Sequence, residues 1–137
     1  MKFILSIDFK WKVVFCARNE ERGQAVANET GSMFIKTDVT KHEEVEAFFN
    51  QIKEKFGRLD VIINNAGTVS PPSGKLGDVP IDTYVNTMDV NSNGAFYVAK
   101  YGVKLMESFG KGGSIVIISS IAGTTGVCAH GGTSAYG

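Results

Sequence analysis

The sequence predicts an α/β fold in which a parallel sheet is wound with helices on both sides, and three observations carry the prediction. Short apolar runs of strand length alternate with amphipathic helical stretches, in the order strand, helix, strand, helix, strand, helices, strand. The run Val61–Ile63 is β-branched throughout and bounded by polar or turn residues, which reads as a strand of a parallel sheet buried on both faces. It ends abruptly in Asn64-Asn65-Ala66-Gly67, just where open α/β sheets bind ligands beyond the carboxyl ends of their strands. Asparagine brings a donor and an acceptor, while Ala66 and Gly67 allow backbone to approach a flat ligand closely.

Each element has a local reason. Lys12–Cys16 is a short apolar strand, and the helical stretch Glu20–Glu29 follows it with acidic residues in its first turn. Asn19 suits the N-cap and Gly31 the C-terminal stop. Met33–Lys36 is a second strand, closing at Thr37-Asp38-Val39. Thr40 and Glu43 have the spacing of a capping box, and Val45, Phe48, Phe49, Ile52 and Phe56 form one apolar stripe opposite a charged face before Gly57 ends the helix. Residues 68–80 form a loop rich in Pro, Gly and Ser. Two helical stretches are expected, about Ile81–Asp89 and Asn91–Phe109. In the second, Ala95, Ala99, Gly102, Val103 and Met106 make one apolar stripe, with Val98, Leu105 and Phe109 on another side. This fits either a helix set between a sheet and another subunit or one wide buried stripe. Ser114–Ile118 is the fourth strand, and residues 119–137 read as a glycine-rich loop.

Bulk properties exclude several function classes. A chain of 137 residues with 43% hydrophobic content can bury a real core rather than stay disordered. The 14 basic and 14 acidic residues cancel and form no block of like charge, so neither nucleic acid nor a membrane surface is expected as a partner. Cys16 and Cys128 lack metal-ligand spacing and fit free thiols in a reducing compartment, hence the cytoplasm. His130 has no second histidine nearby and reads as loop surface. No apolar run is long enough to span a bilayer, and the apolar start of residues 1–8 is too short for a signal peptide.

Four matches, in order, resemble the short-chain dehydrogenases/reductases over about residues 12–137. Asp38-Val39 follows the strand before the Phe-rich helix, and Asn64-Asn65-Ala66-Gly67 ends the next strand. Asn91 follows Asp89-Val90 at the start of the long helix. Ser119-Ser120 follows the last strand, with Tyr136 inside Ser134-Ala135-Tyr136-Gly137. The resemblance implies a partial Rossmann-type doubly wound parallel sheet, residues 12–137, preceded by an atypical segment, residues 1–11. It implies a cofactor edge made by Asp38 and Val39 at the adenine, by Asn64, Ala66 and Gly67 along the adenosine side, and by Val90. It also implies catalysis by Asn91 holding a water in a proton relay, Ser120 orienting the substrate oxygen, and Tyr136 as acid/base. An arginine, Arg18, stands where an acidic residue would bind the ribose 2′-hydroxyl of NAD; a guanidinium suits a 2′-phosphate, so NADP is expected, with NAD as the alternative. The expected substrate is a small-molecule secondary alcohol or ketone, and the full-length form is expected to be a homo-oligomer.

The sequence departs from that family in three respects. Residues 1–11 stand where a Thr-Gly-x-x-x-Gly-x-Gly turn would hold a pyrophosphate. The family's lysine, one helical turn beyond the tyrosine, falls after Gly137, and Ser120 and Tyr136 are slightly farther apart than usual. The expectation is therefore a piece of a complete reductase with little activity alone. The alternatives are a non-catalytic form that associates with full-length subunits through residues 91–109, or, less well matched, a sugar-nucleotide epimerase or dehydratase on the same fold.

Overall fold

A computed structural model describes residues 11–69 and 75–125. Its elements follow the expected order: β1 (Val14–Ala17), α1 (Glu20–Thr30), β2 (Met33–Lys36), α2 (His42–Phe56), β3 (Val61–Asn64), a 3₁₀ turn (Leu76–Asp78), α3 (Ile81–Met88), a π turn (Asp89–Asn93), α4 (Gly94–Ser108), β4 (Ser114–Ile117) and a short α5 (Ala122–Thr125). The fold class is the expected one, with every strand pairing parallel: Val14 opposite Met33 in β1–β2, and Val61 opposite Ser114 in β3–β4.

Most helix ends obey local chemistry. Asn19 caps α1 by accepting from the Arg22 N–H at 2.8 Å, and Gly31 closes it at φ 69°. Gly57 closes α2 at φ 61°, a left-handed conformation that costs glycine little. The start of α2 differs from expectation. Lys41 is its N-cap residue and makes no side-chain cap bond, so Thr40 and Glu43 form no capping box. Instead, Asp38 accepts from the Thr40 N–H and hydroxyl, and Glu44 reaches back to accept from the Asp38 N–H at 2.7 Å. Asp38 is the stronger acceptor at this bend, so the turn forms around it rather than around the threonine.

β1 begins later and ends later than the apolar run suggested, at Ala17, and β4 stops at Ile117. The helical stretches expected as two are one run from Ile81 to Ser108, carried through the π turn. Asn91 therefore sits within a helix rather than at its start. Residues 122–125, expected as loop, form a helical turn.

The core lies between α2, α4 and β3. Val45, Phe49, Ile52, Ile62, Tyr101, Leu105 and Met106 are buried in one cluster, against which Val14, Cys16 and Ile115 pack. Both strand pairs thus share one apolar layer, and burying a side chain such as Phe49 contributes about 1.5–3 kcal/mol. On the opposite face of β1–β2, α1 sits so low that a Cβ on Gly23 would lie 2.2 Å from the Phe34 ring. The described strands form two separate two-stranded parallel sheets, and the first has α1 on one face and the core cluster on the other.

Two packing expectations are corrected. β3 is buried on one face only: Ile62 and Asn64 face inward, while Val61 and Ile63 are 40% and 50% exposed. Alternation in a strand sends successive side chains to opposite faces, and no described helix covers the second one. In α4, Tyr101 is buried and Val103 exposed, because the seam faces α2 as well as β3.

At Gly102 an added Cβ would lie 2.1 Å from Ile62 Cδ1 and 3.3 Å from Phe49 Cζ. Gly102→Ala is expected to lower stability by about 1–3 kcal/mol, the usual cost of overpacking a core, as measured by urea unfolding.

Candidate functional site

Because the strands are parallel, their carboxyl ends lie on one edge, and a series of contacts ties that edge together. Thr37, following β2, donates its N–H to Ala17 O at the end of β1, at 3.2 Å. Ile118, following β4, donates to Asn64 O at the end of β3, at 2.9 Å. Val39 reaches the start of α4, where a Cβ on Gly94 would lie 3.2 Å from Val39 O. One element thereby links the two strand pairs at their ligand-facing ends.

The most specific feature is a reciprocal clamp. Asn91 accepts from the Thr68 N–H at 2.8 Å and donates its amide to Thr68 O at 2.9 Å. Thr68 follows Gly67 directly, so the clamp holds the end of the Asn64–Gly67 turn against the helix. Asn91 can reach it because it lies in the π turn Asp89–Asn93, whose wider winding shifts the register of the side chains. A bond from Asn93 Nδ2 to Asp89 Oδ1, 2.8 Å, spans the same turn. Each polar group of the Asn91 side chain thus makes one bond to Thr68 and keeps one further hydrogen-bonding position. Thr68 was not singled out by sequence reasoning; only its place after Gly67 hinted at a role.

The other expected residues are placed as follows. Asn64 is 6% exposed, and no described residue bonds its amide, so it points into the packed side of the edge. Ala66 and Gly67 are exposed, Val39 and Val90 buried. Ser120 lies just after β4, and its hydroxyl accepts from the Ala122 N–H at 3.2 Å. Arg18 is exposed after β1 and has no ion pair among the described residues. Tyr136, with Cys128 and His130, lies outside the described residues. The structure therefore brings Val39, Asn64, Gly67 and Asn91 to one edge, with Asp38 and Arg18 beside it.

Partial burial works to raise the Asp38 pKa, but the two Thr40 hydrogen bonds and the charges of Arg18 and Lys41 outweigh it and hold the carboxyl below its ordinary value. Burial pushes the Cys16 thiol up to about 11, which makes it a packing residue rather than a nucleophile. The described residues hold no cluster of metal-ligating side chains. Among the same residues no helix is long and apolar enough to cross a membrane.

This arrangement, parallel strand pairs flanked by helices with polar side chains and small residues gathered at the strand ends, is that of a Rossmann-type α/β protein. The chain belongs to the short chain dehydrogenase family, whose profile matches residues 7–137. It is 42% identical over 119 residues to a 3beta-hydroxysteroid dehydrogenase of Mediterraneibacter gnavus, covering 83% of this chain and 42% of the relative. It is 38% identical over 125 residues to short-chain dehydrogenase reductase 3a of Arabidopsis thaliana, covering 89% and 48%. Among solved structures, a short-chain type dehydrogenase/reductase from Mycobacterium ulcerans superposes with a TM-score of 0.82 at 29% identity, covering 92% of this chain and 47% of that one. An actinorhodin polyketide ketoreductase solved with NADPH superposes with a TM-score of 0.80 at 29% identity, covering 91% and 48%. The chain thus spans under half the length of these relatives.

Asn91→Ala removes both clamp bonds, each of about 0.5–1.5 kcal/mol net, and is expected to speed amide hydrogen exchange at Thr68 by roughly tenfold while leaving exchange in α2 unchanged. The lowered Asp38 pKa adds stability that is present above the unfolded value of ~3.9 and is lost as pH falls through the native value. Asp38→Asn is expected to flatten that part of the acid limb in thermal unfolding followed against pH.

Proposed function

We propose that this chain carries the cofactor-facing half of an NAD(P)(H)-dependent oxidoreductase that interconverts a secondary alcohol and a ketone. The observation that carries the reading is the strand-end edge closed by the Asn91–Thr68 clamp, in a chain whose relatives include a hydroxysteroid dehydrogenase and a ketoreductase solved with NADPH. The edge suits the adenosine half of such a cofactor. Ala66 and Gly67 leave a flat, exposed backbone, and Asp38 keeps its Oδ2 free of the Thr40 bonds. Asp38 and Val39 would meet the adenine, Asn64, Ala66, Gly67 and Val90 would border the adenosine and ribose, and Arg18 would take a 2′-phosphate, favouring NADP over NAD.

The chemistry that such a cofactor would supply when bound is hydride exchange with the carbinol carbon. The remaining work falls to side chains. Ser120 donates a hydrogen bond to the substrate oxygen as charge develops on it. Tyr136 takes the alcohol proton during oxidation and returns it to the oxygen during reduction. A free tyrosine has a pKa near ~10, so only about 0.1% is phenolate at pH 7, and a neighbouring cation must raise that fraction. Asn91, braced against Thr68, would hold a water of the proton relay. The 137 residues contain neither the glycine-rich pyrophosphate turn nor the lysine beyond Tyr136, so they alone would turn over little substrate. The reading places the protein in the cytoplasm, acting on small molecules.

A second reading, a non-catalytic form that joins full-length subunits, is favoured by the apolar side chains left open on the helical run: Ile81 at 75% and Phe96 at 62% exposed, with Tyr84 and Val85 beside Ile81. Size-exclusion of a mixture with a complete subunit separates the two. For the first reading, the chain is expected to bind NADPH more tightly than NADH, and Arg18→Asp to shift that ratio toward NADH by about tenfold, as the loss of a charge-assisted phosphate contact implies. An unchanged ratio overturns the NADP assignment. Brisk turnover of NADPH with a ketone by the 137-residue chain overturns the low-activity reading.

A further inference from the structure

We propose that Lys36 is a further specificity-determining residue of the nucleotide edge: together with Arg18 it grips the 2′-phosphate of an adenosine ribose, and Glu20 holds its ammonium group until that phosphate arrives. The inference rests on the nucleotide reading above and deepens it. Lys36 is the last residue of β2 and lies directly opposite Ala17, the last residue of β1, so Arg18 follows immediately across the strand ends. Adjacent strands lie about 4.8 Å apart, well inside the reach of either long side chain. The Arg18 charge also bears on the Asp38 carboxylate, two residues past Lys36, so both cations belong to one corner of the edge.

The seat of α1 turns Lys36 toward that corner. Phe34 and Lys36 are two residues apart and share one face of β2. Gly23 rides on the Phe34 ring, and about one helical turn earlier Glu20 stands over Lys36, its Oε2 3.2 Å from Nζ. Glu20 is the first residue of α1, one past the cap Asn19 and two past Arg18. Its carboxylate therefore marks an anion position beside Arg18 that Lys36 already serves. The two side chains are 61% and 71% exposed, and an exposed pair of this kind is weak. A phosphate monoester brings more charge than one carboxylate, and three strong acceptor oxygens, so it draws the ammonium away. An unphosphorylated ribose has no charge to offer in exchange, and Lys36 stays with Glu20. Lys36 thus adds attraction for the phosphorylated ribose only, and Glu20 sets how much of that attraction is realised.

Titrating the 137-residue chain with adenosine 2′,5′-bisphosphate and with adenosine 5′-monophosphate, followed by backbone amide shifts, isolates the 2′-phosphate. Lys36→Gln is expected to weaken the bisphosphate about fivefold and to leave the monophosphate unchanged, whereas Lys36→Arg retains the preference. Glu20→Gln frees the ammonium and is expected to tighten the bisphosphate about threefold, again without effect on the monophosphate. Arg18→Gln separates this inference from the reading beneath it. If Arg18→Gln abolishes the preference while Lys36→Gln leaves it intact, or if Lys36→Gln weakens both nucleotides alike, the role of Lys36 is overturned and the nucleotide reading stands. Equal affinity of the unsubstituted chain for the two nucleotides overturns the role of Lys36 together with the NADP assignment. No saturable shift with either nucleotide overturns the nucleotide reading as well.

Discussion

The seat of α4 on β3 is the contact from which the rest of the edge is set. Gly102 lets the helix backbone come down onto Ile62, and Phe49 of α2 closes the seam from the side. An added methyl there would lift α4, and its first turn would leave Val39 at Gly94. The π turn just before Gly94 would then lose its aim at Thr68. A packing contact deep in the core therefore sets the distance between groups at the surface edge, because close-packed interiors pass displacement on rather than absorb it.

A regular α-helix over residues 81–108 would carry Asn91 round to a different direction. The π turn adds a residue to one helical winding, and the Asn91 amide then meets both backbone groups of Thr68. Such local departures from regular helix persist where neighbouring contacts over-determine them. Here those contacts are the Asp89–Asn93 bond, buried Val90 and the clamp itself. The Asn64–Gly67 turn is thus braced by the helical run and not only by its own strand.

Much of this was legible from residue chemistry. Asn19 and Gly31 bracket α1, Gly57 ends α2, and the Val45–Phe49–Ile52 spacing faces the core, because caps and periodicity depend on near neighbours. Thr40 and Glu43 misled for an equally local reason: Asp38, two residues earlier, competes for the same N–H and wins. Val61 and Ile63 misled because β-branching reports strand preference, whereas burial depends on which elements arrive to cover a face. Tyr101 belongs to the core because α4 is pressed by α2 and β3 together, which periodicity within one helix does not express.

The sequence by itself determined the order and type of the four strands and the first two helices, and the parallel α/β class, since each of these follows from patterning and turn chemistry within short windows. Tertiary structure alone decided that the Asn91 side chain bonds Thr68, that Asn64 points inward, and that Lys12 and Lys55 both stand over the ring of Phe56. Those facts join residues far apart in the chain, and their separations are set only once the helices have packed on the sheet.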